Sequence, residues 1–291
     1  MKTIISVLMV CNLAAIAANV KANPDVTSRE YKLMLKANSF SYTNEALNVL
    51  ELLDNIETTV ESAISRNVTG TAKLSKVRDI KFYDVEKTCV LKHIGYSFRE
   101  RMTGGNSEVT LKFRSADRYI SNFENLSAIS NQAESKLEAD IGISSTSTFN
   151  VVYGHSTKVP NSRTINKMDD INEQFPGFQQ NYAFSNSLDL NLVGNLTIRE
   201  HVYKGVVIDL GKFDAEISVT LWYNAVPSGN QMPVVAEVSF KYEDNSADYT
   251  KKVVNRAKQS FEAIQGLTNW IDPNSKTKTK FIYDYNSSFC Q

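Results

Sequence analysis

Two short stretches place a cation at every second residue. In Gly95-Tyr-Ser-Phe-Arg-Glu-Arg101, an extended backbone sends Tyr96 and Phe98 to one face and Ser97, Arg99 and Arg101 to the other. In Val109-Thr-Leu-Lys-Phe-Arg114, Val109, Leu111 and Phe113 take one face, and Thr110, Lys112 and Arg114 the other. Thr103-Gly-Gly-Asn106 between them carries a hairpin signal. A single core requires the two apolar faces to coincide, so Arg99, Arg101, Lys112 and Arg114 share one surface. Like charges opposed across a sheet repel, and such a group calls for water, carboxylates or a bound polyanion. The ordinary alternative is a solvated outer sheet face, since antiparallel sheets commonly turn polar residues to water.

Other stretches alternate in the same way but include acids. Ser28, Glu30 and Lys32 share a face, as do Glu138 and Asp140, and Glu237, Ser239, Lys241 and Glu243. If such a sheet curls into a closed barrel, its charged face becomes the lumen and helices cover the apolar outside. A charged lumen is costly when dry, so it should hold water, metal and ligand. The spacing predicts strands over 26–36, 80–85, 95–102, 108–115, 138–147, 197–209, 214–224 and 234–243, with a last one over 281–285. It predicts helices from Thr43 to about Arg66, with Leu47, Leu50, Ile56, Val60 and Ile64 near one stripe, and over 118–137, 166–175 and 247–270. The fold class is α+β, with an antiparallel sheet.

Composition narrows the class. The chain has 291 residues, 42% hydrophobic and 22% charged, as in ordinary globular proteins. Its 32 basic residues balance its 32 acidic ones, which argues against a nucleic-acid binder. Lys2, the apolar run Ile4–Ala18 and Val20-Lys-Ala22 read as a signal peptide covering residues 1–22. The remainder, 23–291, is expected to be one domain with a C-terminal helix and tail, secreted or periplasmic and free of the membrane after cleavage. Cys89 and Cys290 are then the two remaining cysteines. In an oxidising compartment they are either a disulfide or two unrelated thiols. Asn67, Asn125, Asn195 and Asn286 open N-glycan acceptor triplets, which matter in a eukaryotic source. His93, His155 and His201 are scattered and read as structural or surface residues. No phosphate loop, dinucleotide fingerprint, serine elbow or zinc motif is present.

These residues together resemble the CYTH superfamily, the triphosphate tunnel metalloenzymes. The resemblance rests on Glu30-Tyr-Lys32, Phe82-Tyr-Asp-Val85, Gly95–Arg101 and Val109-Thr-Leu-Lys112, with Arg199 in Leu196-Thr-Ile-Arg, Asp209 in Val207-Ile-Asp, Glu237 in Ala236-Glu-Val, and Phe175-Pro-Gly-Phe178. It spans roughly 26–265, and the 95–112 hairpin is its most specific part. It implies a β tunnel-barrel with helices packed outside and a phosphohydrolase acting on triphosphate or polyphosphate anions. It implies phosphate contacts from Arg99, Arg101, Lys112, Arg114 and Arg199. It further implies Mg²⁺ or Mn²⁺ at Glu30, Glu237 and Asp209, with Lys32 orienting or activating water.

The departures fall on the acids. Ser28 and Ser239 stand where the family carries glutamates, with Glu138, Asp140 or Glu216 as substitutes. Three readings stay open: a metal-dependent phosphohydrolase, a catalytically degenerate module binding a polyanionic ligand without turnover, and a protein whose charged strands form only internal ion pairs.

Overall fold

A computed structural model describes residues 25–144, 147–274 and 276–291. The signal-peptide reading of residues 1–22 lies outside them. Among the described residues ten strands form one sheet: β1 (Ser28–Leu35), β2 (Val68–Asp84), β3 (Tyr96–Thr103), β4 (Asn106–Ser115), β5 (Glu134–Ser144), β6 (Ser147–Asn161), β7 (Asn191–Leu192), β8 (Ile198–Asp209), β9 (Asp214–Tyr223) and β10 (Val235–Glu243). Their order is β3-β4-β6-β5-β1-β10-β9-β8-β2-β7. β2 pairs with β3 as well as with β8, so nine strands close into a ring and β7 hangs from β2 as a short appendage. All pairs are antiparallel except β1 with β5. Closure leaves the ring no free edge, and period-two alternation gives it an inside and an outside.

The outside is apolar and covered. Helix α1 (Glu45–Ile64) buries Val49, Leu52, Leu53, Ile56, Val60 and Ile64, a stripe at three- and four-residue spacing. Leu47 and Leu50, expected on that stripe, are exposed because they point away from its centre, Leu47 by almost half a turn and Leu50 by about a quarter. Helix α6 (Lys251–Gln265) buries Val253, Ala257, Phe261 and Ile264, and the Thr250 hydroxyl caps it by accepting from the Val253 amide at 3.3 Å. Both helices share one core with Tyr31, Leu33, Val219 and Phe240. A second core puts Tyr96, Phe98, Leu111 and Phe113 against Ile171 of α4 (Asp169–Asn172) and Phe178 of α5 (Pro176–Tyr182), with Phe175 between those helices, and against Leu91 of α2 (Val90–His93). The β3–β4 turn has positive φ at Gly104 (56°) and Gly105 (85°), a two-residue hairpin that side chains resist.

A third core lies at one end of the ring. The inward-facing Ile80, Phe82 and Trp222 meet Ile282 and Tyr283 of α7 (Lys278–Tyr285) and Phe289 of the tail. The 281–285 segment, expected as a strand, is therefore a helix lying across the ring, with Ile282 and Tyr283 as its buried side. Cys89 and Cys290 form a disulfide that fastens the tail to the turn after β2. Asp84 at the end of β2 adds to this anchorage, accepting from the Leu91 and Lys92 amides at 3.0 Å each and from the Tyr283 hydroxyl at 2.8 Å.

Three further expectations change. The 118–137 helix is only α3 (Arg118–Phe123), capped by Asp117, and β5 already begins at Glu134. β2 extends twelve residues before Ile80, through two register shifts that hide its alternation. β6 had no strand signal, since its Ser, Thr, Asn and Gly content masks the period.

One buried polar group outside the ring sets a stability test. Glu45, at the start of α1, meets His201 Nδ1, Tyr203 OH and Tyr223 OH, each at 2.8 Å. Burial pushes its carboxyl pKa up, but these partners overcome that and hold it below the ordinary value. Its contribution is thus present above the unfolded carboxylate pKa and fades as pH falls through the lower folded one. Glu45→Ala strands three buried polar groups and should cost about 2–4 kcal/mol in urea unfolding at neutral pH. An unchanged midpoint would contradict the network's role.

Candidate polyanion-binding tunnel

The ring surrounds a cavity of about 1450 Å³ that is open to solvent, above the roughly 300–1,000 Å³ of ordinary small-molecule pockets. Arg99, Arg101, Lys112, Arg114, Lys32 and Glu30 all line it, as the strand alternation predicts. Among the described residues, eleven Lys and Arg face nine Asp and Glu across its wall, so the lining is mixed with a slight basic excess.

Most of these charges are satisfied internally. Lys32 Nζ lies 2.8 Å from both Glu30 Oε2 and Asp140 Oδ1. Lys112 Nζ is bonded to Glu138 and lies 3.1 Å from Asp140 Oδ2, which Arg114 Nε approaches at 3.4 Å. Lys136 also meets Glu138. Across the lumen, Arg78 pairs with Glu200, which accepts from the Trp222 indole at 2.9 Å. Burial penalises both acids, yet Lys112 brings Glu138 down to about 2, and Arg78 brings Glu200 down to about 2. Asp140 is held well below the carboxylate range against its burial, chiefly by Lys112 and Lys32. Burial works against Lys32 too, but Asp140 and Glu30 raise it well above the ordinary lysine value. Lys112 is lowered, by burial and by Arg114 beside it.

Depressed acids contribute stability above their unfolded pKa and lose it as pH falls through the folded one. Glu200, 2% exposed, drops from 4.5 to about 2, a contribution of roughly 3 kcal/mol. Unfolding followed from pH about 6 down to about 2 should therefore show stability falling mainly below about 4.5, and less steeply in Glu200→Gln. A flat profile would contradict these pairings.

Apart from the exposed Lys76, Arg99 and Arg101 are the exception. Among the described residues neither makes an ion pair, and the Nε of each is buried without a hydrogen-bond partner. The Thr110 hydroxyl, on the residue paired with Arg99 across the hairpin, is also buried and unpartnered. Burial and the neighbouring guanidinium lower the Arg99 pKa well below its usual value; burial and Arg78 lower that of Arg101. Buried polar groups are nearly always satisfied, and these three unpartnered atoms face the same lumen.

Two expected residues are not in the lumen. Arg199 faces outward and pairs with Asp79 at 3.0 Å, because its neighbour Glu200 takes the inward position and alternation excludes both. Asp209 lies beyond a register shift at the end of β8 and binds Arg66 outside the ring. Glu237 does line the cavity, but near Trp222, where Lys278 Nζ holds it at 2.8 Å. The 30/237/209 metal set is thus dispersed. Residues the sequence reading missed include Arg78, Glu200, Lys136 and Lys278. Arg78 is legible from its alternation with Ile80 and Phe82, and Glu200 stands one residue beyond Arg199. Nothing local marks Lys278, which reaches the lumen from α7.

The carboxylates that do converge are Glu30, Glu138 and Asp140, with one oxygen of each within 4.8 Å of the others. Oxygen donors suit a hard divalent cation. Their charge does not, because Lys32, Lys112, Lys136 and Arg114 already over-neutralise the three acids. A resident ion would have to displace those ammonium groups.

No protein-family profile matches the sequence, and no curated protein does. Among solved structures, it is similar to HpAC1 from Hippeastrum, described as an adenylyl cyclase candidate with dominant triphosphatase activity (12% identity, 89% of this chain and 96% of that one, TM-score 0.43). It is also similar to an adenylate cyclase candidate from Bacillus halodurans (10%, 88% and 97%, TM-score 0.41) and to the PH1819 protein from Pyrococcus horikoshii (10%, 88% and 100%, TM-score 0.35). These values are too low for any property of those proteins to pass to this chain.

Proposed function

We propose that this chain is an exported protein that binds a short polyphosphate or organic triphosphate inside its tunnel. The observation that carries this reading is the pair of guanidinium groups, Arg99 and Arg101, facing the lumen with no carboxylate in ion-pair contact. A guanidinium offers a planar fork of donors that matches phosphate oxygens, and such contacts strengthen where water is restricted. Lys112 and Arg114 stand on the adjoining strand, where they can shift from Asp140 towards an arriving anion. The slight basic excess of the wall favours an anion over a cation. The disulfide and the apolar run before residue 19 support export to an oxidising compartment.

Binding is preferred over turnover because the acids that phosphoryl-transfer chemistry would use to hold a metal are committed to lysines. Lys32, held firmly as an ammonium by Asp140 and Glu30, can orient a phosphate or a water but is a poor base. A thermal-shift series with phosphate, pyrophosphate, tripolyphosphate and nucleoside triphosphates tests the reading. Stabilisation should grow with phosphate number, reaching about 2.7 kcal/mol at a hundredfold excess over Kd. No shift from any of them would refute it. Phosphate release from tripolyphosphate with Mg²⁺ or Mn²⁺ would add turnover to binding; none is expected.

A further inference from the structure

The position of Lys112 depends on a glycine. β6 crosses beside it at Gly154, whose register partners are Arg114 on β4 and Glu138 on β5. A Cβ built at Gly154 would come within 2.8 Å of Lys112 Nζ and closer still to its Cε, while Asp140 Oδ2 would lie 3.6 Å away. Gly154 is buried within a strand and has a negative φ, so no turn requires glycine there. Glycine weakens a strand, and its use inside one marks the close approach of another group. Here that group is the Lys112 side chain, which lies in the space of the missing methyl and ends between Glu138 and Asp140. Lys32 enters the same acidic cluster from β1. The two ammonium groups thus occupy the place where three convergent carboxylates would otherwise hold a hard cation.

We infer that Lys32 and Lys112, the latter seated by Gly154, are the tunnel's built-in counter-cations, and that the tunnel takes its anion without a resident divalent metal. The anion half of this inference rests on the reading above; the metal half does not. A lysine fixed in the fold has advantages over an exchangeable ion in an exported protein. It is never lost to dilution or to a competing chelator, and when an anion arrives it can swing from carboxylate to phosphate without leaving the site.

The test is a Mn²⁺ titration followed by electron paramagnetic resonance without any phosphate, on the full oxidised chain. Wild type should show no saturable site. Lys32→Met/Lys112→Met should gain one, at least about tenfold tighter than wild type, because its three carboxylates lose their central partners. Gly154→Ala, which pushes Lys112 out of its seat, should fall between the two while Lys112 itself is kept. Uptake of one Mn²⁺ per wild-type chain that Asp140→Asn abolishes overturns the inference. So does a Gly154→Ala chain that is folded by near-ultraviolet circular dichroism and takes up no more Mn²⁺ than wild type. If the double variant unfolds, the wild-type and Gly154→Ala titrations decide. A second arm measures tripolyphosphate binding with and without a chelator, where equal affinities are expected. Loss with the chelator overturns the inference, whereas absence of tripolyphosphate binding in both conditions sinks the polyanion reading and leaves the metal half standing.

Discussion

Replacing Arg99 and Arg101 together by methionine should weaken tripolyphosphate binding by a factor of about 10²–10⁴, since each charge-assisted contact contributes roughly 1.5–3 kcal/mol. The same change should leave the chain as stable or make it more so, and that second half is the sharper part. Both pKa values are lowered in the fold, by burial foremost, then by Arg101 in one case and Arg78 in the other. A cation whose folded pKa lies below its unfolded one opposes folding wherever the unfolded chain carries that charge, which for arginine is the whole accessible range. Methionine keeps much of the stem's apolar bulk while removing two unpartnered Nε groups. The unfolding midpoint should rise, by about 2–4 °C for each kcal/mol relieved. Lys258→Met, which breaks an exposed ion pair with Glu262 on α6, should change neither property. If the arginines are instead structural, the double variant loses stability, and binding falls only as far as unfolding explains.

The disulfide should have the largest effect on stability. Cys89 and Cys290 are 201 residues apart, and closing so long a loop is worth about 5 kcal/mol in the chain-entropy account. Cys89→Ser/Cys290→Ser should lose most of that in urea unfolding. The loss should also concentrate in space. α7 lies over the ring end through Ile282 and Tyr283, with Phe289 of the tail beside them, and only that tail carries the cysteine. Amide exchange in α7 should rise before exchange in β1 or β10, and Lys278 should part from Glu237. Uniform exchange, or an unchanged midpoint after reduction, would contradict the role given to the tail.

Strand alternation made much of the lumen legible. Arg99, Arg101, Lys112, Arg114, Lys32 and Glu30 could be assigned inward because Phe98, Leu111 and Tyr31 beside them had to face a core, and one face fixes the other. The same rule failed where parity was uncertain. A register shift within β8 separates its start from Asp209, and at that start Glu200 rather than Arg199 points inward. Acids were harder to assign than bases, because a ligand set depends on which strands become neighbours. Asp140 meets Lys32 only because β1 runs parallel beside β5, a pairing no local pattern announces. Lys278 and Gly154 were invisible for the same reason. One reaches the tunnel from a helix that looked like a strand, and the other matters only for the side chain it lets pass.

Isothermal calorimetry of the oxidised chain with tripolyphosphate, in chelator and at two ionic strengths, tests whether the tunnel binds an anion through Arg99 and Arg101. Saturable binding of one anion per chain should appear, weaken as salt is raised and vanish in Arg99→Met/Arg101→Met. A folded wild-type chain that gives no saturable heat, or the same heat once both arginines are gone, would contradict it.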